Sequence, residues 1–176
     1  MNKLIHLRWL IVVILLGYLG WQNLLSMAPV VGESDLSVRQ SNLGVLLPAG
    51  RVAKTEAGLR VKQEPLYLDI KIPPRARQVN LKITTAGQAD LIIGSRQDIG
   101  WSYVFWPLTI SDQAETKIHS VIAQPIGLLE SDYNWRFILS VKGLPDKDLI
   151  IKKAEVEILR RPFSWQWLNN KLLFWL

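Results

Sequence analysis

Side chains able to act as acids, bases or nucleophiles are few in this chain. His119 is the only histidine beyond the first ten residues, and the sequence has no cysteine and no Gly-x-Ser-x-Gly motif. A thiol or serine nucleophile with its activating base is therefore not predicted. His119 follows Lys117 and precedes Ser120, a polar setting that is typical of a surface residue. We predict that the protein is not an enzyme.

Two pairs of carboxylates have a spacing that invites comparison with glycosidases, which need only two acidic groups. Glu130 and Asp132 precede a predicted strand, and Asp146 and Asp148 lie in a predicted turn. Because acidic residues in turns usually bind the local backbone, we do not expect either pair to be catalytic.

No zinc-ligand spacing and no EF-hand loop occurs, so no cofactor is predicted, with calcium left open. Loops of a β domain can combine carboxylates and backbone carbonyls around this hard cation. The acidic residues available for such a site are Asp90, Asp98, Asp112 and Glu115.

Two tryptophans are the candidate ligand-binding residues. Trp101 follows the predicted turn at residues 98–100, and Trp106 precedes Pro107. Either indole can stack on a sugar or a partner at the surface, or can be buried in the core, where large rings pack favourably. The aromatic residues expected to pack inside are Tyr103, Phe105, Trp135 and Phe137.

Strands must position these residues, because apolar and polar side chains alternate with a period of two. The alternating runs cover residues 66–72, 79–83, 89–93, 101–105, 133–141 and 150–158. In the last run, Ile150, Lys152, Ala154, Val156 and Ile158 are assigned to the core face. Tyr67 and Asp69 are assigned to the outer face of the first run, and Arg136 to the outer face of the run at 133–141.

Turn residues separate the runs. Pro73-Pro74 ends one strand, Ala86-Gly87-Gln88 is interpreted as a hairpin loop, and residues 143–146 form a further break. Residues 107–132 are interpreted as a long connection with one edge strand near Lys117–Ala123. About seven or eight strands are expected over residues 43–161, which favours an all-β, antiparallel β-sandwich of jelly-roll or Greek-key type.

The segments VNLKITTAGQADLIIGSRQ, WSYVFWPL, YNWRFILSVKG and LIIKKAEVEILRR follow one another in this order. This order resembles the galactose-binding-like jelly rolls, over about residues 60–160. Those domains are common as carbohydrate-binding modules and as non-catalytic attachments to envelope enzymes. The resemblance implies a jelly roll with a carbohydrate-binding role. The matching segments contain no diagnostic binding motif, so no binding residue is assigned from the resemblance.

The N-terminal region carries the membrane signal. Residues 9–32 contain no charged side chain, and about 20 apolar residues suffice to cross a bilayer as a helix. We predict a transmembrane helix that anchors the protein, within residues 1–32. A small-x-small site at residues 26–28 also fits a cleaved signal peptide, but Pro29 directly after the cut favours a retained anchor.

Charge sets the expected orientation. Lys3 and Arg8 precede the apolar run, whereas Glu33 and Asp35 follow it. The positive-inside rule then predicts a cytoplasmic N-terminus and an extracytoplasmic β domain at the cell membrane, joined by a linker over residues 33–42. Nucleic acid is therefore not an expected partner.

The C-terminal residues 162–176 form an aromatic tail that follows Arg160 and Arg161. Its aromatic residues are Phe163, Trp165, Trp167, Phe174 and Trp175. Such a composition suits the membrane interface or a membrane protein partner, and the alternative is that the tail folds back onto its own domain.

Two functions remain open. The first is a non-catalytic module that binds an envelope polysaccharide. The second is an accessory or structural subunit of an envelope assembly that docks through its tail. Residues 51–82 carry eight Lys and Arg against three Asp and Glu, a basic excess that suits acidic polysaccharide or anionic lipid.

Overall fold

A computed structural model describes residues 9–18, 20–21, 28–40, 42–73, 75–96, 102–113, 115–125, 134–144 and 146–161. Within these ranges there are twelve strands and one short 3-10 helix, Ala49–Arg51. The strands are β1 Val30–Ser34, β2 Leu43–Leu47, β3 Val52–Thr55, β4 Gly58–Val61, β5 Leu66–Lys71, β6 Ala76–Gly87, β7 Asp90–Arg96, β8 Tyr103–Phe105, β9 Thr109–Gln113, β10 Thr116–Ala123, β11 Asn134–Lys142 and β12 Leu149–Arg160.

The strands form two antiparallel sheets, and the predicted antiparallel β-sandwich is confirmed. The seven-stranded sheet has the order β3-β4-β12-β6-β10-β9, with β1 pairing beside β4 on β12. The five-stranded sheet has the order β2-β5-β11-β7-β8. The chain divides into two compact units. One is Pro29–Leu159, and the other includes the described residues 9–18, 20–21, 28, 160 and 161.

The predicted alternation places apolar side chains between the sheets in most strands. Fully buried residues of β5 and β11 are Leu66, Leu68, Ile70, Trp135, Phe137, Leu139 and Val141. Along β12 the buried residues are Leu149 and Ile151, and then Ala154, Val156 and Ile158. The assignment of Ile150 and Lys152 to the core face is therefore wrong, because the alternation shifts by one residue where the pairing partner changes from β4 to β1.

The orientation predicted for Tyr103 and Phe105 is also wrong. Phe105 is 55% exposed, and it pairs with Gly94 on the outer face of the five-stranded sheet. Trp106 instead packs against the core, and its Nε1 donates to the Ser95 Oγ at 2.7 Å. The short edge strand β8 takes this orientation because Gly94 leaves room for the ring: a Cβ there would lie 2.9 Å from Cδ1 of Phe105.

Two connections differ from the sequence interpretation. Of the residues interpreted as a hairpin loop, Ala86 and Gly87 end β6, and residues 88–89 join it to β7 in the other sheet, so no hairpin is formed. The backbone N–H groups of Gln88 and Ala89 donate to the Asp148 carbonyl at 3.1 and 3.3 Å. Strand β9 pairs with β10, so β9 is the edge strand and the assignment of the edge to residues 117–123 is wrong.

The seven-stranded sheet begins earlier than the predicted domain start at residue 43. Val30–Ser34 pairs with β12 from Ile158 to Ala154, so residues assigned to the anchor and linker lie in the sheet. The sequence of β1 shows little alternation of apolar and polar residues, and its strand structure depends on pairing with β12. Residues 9–18 and 20–21 are helical with exposed side chains. The described part of the chain contains no helix of sufficient length and hydropathy to cross a bilayer.

Candidate ligand-binding face of the five-stranded sheet

The outer faces of the two sheets differ in chemistry. On the seven-stranded sheet, charged side chains pair with each other: Lys153 Nζ lies 2.6 Å from Glu155 and 3.3 Å from Glu33. The Asn80 amide donates to Glu157 at 2.9 Å. Exposed apolar side chains also occur on this sheet, among them Val31, Ile110 and Ile122.

The five-stranded sheet presents an apolar row across its outer face, one residue from each strand. The row consists of Leu47, Tyr67, Ile138, Gly94 and Phe105, which are successive cross-strand neighbours. Leu47 and Phe105, at the two ends, are exposed. Tyr67 and Ile138, between them, are half-buried, and Gly94 is buried. Exposed apolar side chains at both ends of such a row make this face a candidate site of interaction.

A fixed ion pair lies beside the apolar row. Arg136 Nε and Nη2 donate to the two carboxylate oxygens of Asp69 at 2.7 and 2.8 Å. The guanidinium carbon lies 5.6 Å from the centre of the Tyr67 ring, within the range of a cation–π contact. The hydrogen bond to Asp69 raises the pKa of Arg136. The pair therefore holds a charged, planar group in one orientation beside an aromatic ring.

Arg96 and Tyr103 are cross-strand neighbours on β7 and β8, two residues along each strand from Gly94 and Phe105. The Tyr103 hydroxyl is buried and makes no hydrogen bond with any described residue.

A cleft of about 190 Å³ opens next to Asp69, between β2, β5 and β11. Its polar lining residues are Arg39, Gln40, Asn42, Asp69, Lys71 and Asn134. A register shift in β2 between Leu43 and Leu46 shapes its wall. Gly44 is required here, because a Cβ would lie 2.9 Å from the Asp69 carbonyl oxygen.

The loop that carries Arg39 and Asn42 is held by local contacts. Leu36 is buried with a left-handed φ of 61°, and its N–H donates to Ser34 Oγ at 2.9 Å. The Ser37 N–H donates to Asp35 at 3.0 Å, and this bond lowers the pKa of Asp35. Gln40 and Leu43 exchange two backbone hydrogen bonds of 3.0 Å. The wall of the cleft is thereby fixed to the sandwich.

The residues proposed from the sequence fall in different places. Trp106 is half-buried with its indole N–H bonded, so it offers no free ring face comparable to Phe105. Trp101 lies outside the described residues, as do the aromatic tail residues, Lys3 and Arg8. The site residues that sequence reasoning missed are Tyr67, Asp69 and Arg136. Alternation placed them on the outer face, but only the pairing of β5 with β11 brings them together.

His119 is fully buried, so its assignment to the surface is wrong. Its Nε2 lies 3.0 Å from the Thr85 Oγ1, and Nδ1 has no hydrogen-bond partner within the described ranges. Burial lowers the pKa of His119, and Lys117 lowers it further, whereas Asp90 and Asp112 raise it. His119 is therefore enclosed in the sandwich, and burial favours its neutral form.

The structure describes some of the acidic residues considered as catalytic or calcium-binding candidates. Asp148 pairs with Arg60 at 2.7 Å on the surface, and Glu130 and Asp132 lie outside the described residues. No group of three or more His, Asp or Glu side chains within the described residues is placed to hold a metal ion. Asp90, one of the calcium candidates, lies 3.7 Å from Lys117 Nζ.

Neither a protein-family model nor a curated protein matches this chain.

Proposed function

We propose that the protein is a non-catalytic binding module that attaches to an envelope glycan through the outer face of its five-stranded sheet. The observation that carries the proposal is the arrangement of three features side by side. These are the apolar row, the Arg136–Asp69 pair over Tyr67, and the polar cleft at the end of the pair.

A sugar ring has apolar C–H faces and a rim of hydroxyl groups, and this face offers partners for both. Phe105 and Tyr67 supply ring surface, while the cleft supplies amides and charged groups that donate and accept hydrogen bonds. Open rows on a sheet can bind a chain at several points, as an extended polysaccharide requires. As part of the same proposal, we assign the sandwich to the jelly-roll or Greek-key type.

The apolar residues 9–18 support a membrane anchor as the second part of the proposal. Their side chains are all exposed, with Trp9 65% and Leu16 62% accessible. Burial of such a surface in a bilayer removes it from water at a gain of roughly 25 cal/mol per Å². With Lys3 and Arg8 on the cytoplasmic side, the β-sandwich faces the envelope.

The test compares two exposed apolar residues on opposite faces in the full-length protein in mild detergent. Phe105 is 55% and Ile122 is 61% exposed, on the five-stranded and seven-stranded sheets respectively. We expect Phe105→Ser to weaken binding to an immobilised envelope polysaccharide fraction about tenfold, equivalent to about 1.4 kcal/mol. Ile122→Ser, the matched control, leaves the affinity unchanged.

Equal effects of the two substitutions, or no polysaccharide binding by the wild type, contradict the proposal. A second candidate function, an accessory subunit of a membrane protein assembly, is favoured by the same apolar row, since such rows also pack against proteins. It is supported instead if a stoichiometric protein partner co-purifies with the wild type and is lost from the Phe105→Ser variant.

A further inference from the structure

We propose that the cleft beside Asp69 binds the carboxylate of an acidic sugar, so that the ligand of the five-stranded sheet is a polyuronate. The inference rests on the proposed glycan-binding function and names the class of glycan. It follows from the charges that line the cleft.

The first observation is that the one carboxylate lining the cleft is already neutralised. Both oxygens of Asp69 accept hydrogen bonds from Arg136, which lies outside the lining. Within the described residues, Arg39 and Lys71 have no ion-pair partner, and both are exposed. The cleft therefore presents two positive charges with no negative charge left to balance them.

The second observation is that the backbone segments carrying these two residues are joined, although both side chains are exposed. The Lys71 backbone N–H donates to the Asn42 carbonyl at 2.9 Å, which ties the loop of Arg39 to β5. The burial of Leu36, three residues before Arg39, anchors the start of the same loop. A carboxylate held between a guanidinium and an ammonium forms charge-assisted hydrogen bonds, which are stronger than those of neutral groups.

The third observation is that amides surround the cations. Gln40, Asn42 and Asn134 line the same cleft, and Asn134 is the cross-strand neighbour of Lys71. Amide groups both donate to and accept from hydroxyls, so they suit the hydroxyl groups that flank a sugar carboxylate. A uronic acid has hydroxyl groups that can bond to these amides as well as a carboxylate that can pair with the cations. A simple inorganic anion has no such hydroxyl groups.

The test uses polygalacturonate and the methyl ester of the same polymer as probes, with the full-length protein in mild detergent. The two polymers have the same sugar backbone, and methylation of each carboxyl group removes its negative charge and adds one methyl group. We expect polygalacturonate to bind at least tenfold more tightly than its methyl ester at low salt, and salt to reduce that difference. Arg39→Gln and Lys71→Gln should each weaken polygalacturonate binding at least fivefold and leave binding of the ester unchanged.

Lys82→Gln is the matched control, because Lys82 is an exposed cation on the outer face of the seven-stranded sheet. If it weakens binding as much as Lys71→Gln, the charge effect is general and the cleft assignment is wrong.

Equal binding of the polymer and its ester overturns the acidic-sugar inference but leaves the glycan-binding proposal intact. If the protein binds neither polymer and no neutral polysaccharide of the envelope fraction, both the acidic-sugar inference and the glycan-binding proposal are wrong. Binding of anionic lipid vesicles that is lost in the Arg39 and Lys71 variants assigns the cations to lipid headgroups and overturns the inference.

Discussion

Acidification should destabilise the β-sandwich through His119. The imidazole is fully buried between the sheets, with Thr85 Oγ1 as its polar neighbour at 3.0 Å. Burial disfavours the charged form and lowers the pKa of His119 below the ordinary value of 6.5. Lys117 on the same strand acts in the same direction, and the carboxylates of Asp90 and Asp112, on β7 and β9, oppose it.

The sign and size of the effect follow from proton linkage. Because the folded pKa lies below the unfolded value, the unfolded chain binds the proton first as the pH falls. The contribution of His119 to stability is therefore fully present above about pH 6.5 and is lost as the pH falls toward the folded pKa. One proton bound only by the unfolded chain gives a maximum slope of about 1.4 kcal/mol per pH unit.

The assay is urea unfolding of the full-length protein in mild detergent at a series of pH values from about 7.5 down to about 5. His119→Gln keeps a polar group next to Thr85 and does not titrate in this range. We expect the variant to lose the part of the pH dependence that His119 supplies. Identical slopes for the wild type and the variant would refute the reasoning.

Two further substitutions test how the loops are held, both by urea unfolding of the full chain. Gly87→Ala should destabilise the protein by about 1–3 kcal/mol, because φ is +113° and a Cβ would overlap the Asp148 carbonyl; Gly50→Ala, with open space around it, is the control. An equal effect of the two alanines would contradict this. Leu36→Ala should cost about 2–5 kcal/mol and weaken polygalacturonate binding with Arg39 intact. Val38→Ala, at an exposed residue, should change neither quantity, and a similar loss there would show that Leu36 does not hold the cleft.

The sequence predicted strand positions best where alternation is long and each strand has neighbours on both sides. Residues 66–70 and 135–141 meet these conditions, and their apolar side chains are buried as predicted. The prediction failed at β8, an edge strand of three residues. Alternation over so few residues does not show which side chains face the core. It failed within β12 for a related reason, since the irregularity at Lys152 and Lys153 depends on which strands pair alongside.

The candidate site was only partly accessible from the sequence. Period-two alternation assigned Tyr67, Asp69 and Arg136 to outer faces, but it did not predict that the three side chains are in contact. Their contact requires the register of β5 with β11, in which Arg136 is opposite Asp69. The signal that was present, two opposite charges on outward positions of long strands, does not specify a partner among the many such residues.

By itself, the sequence determined that this is an antiparallel β protein with one buried face to each long strand, because side-chain alternation is a local property of extended chain. Only the tertiary structure decided which strands are neighbours, that His119 is inside and Phe105 outside, and that Arg39 and Lys71 line one cleft. These features depend on register and on the approach of residues distant in sequence. Many registers satisfy the same alternation, so the final choice is made by packing across the whole sandwich.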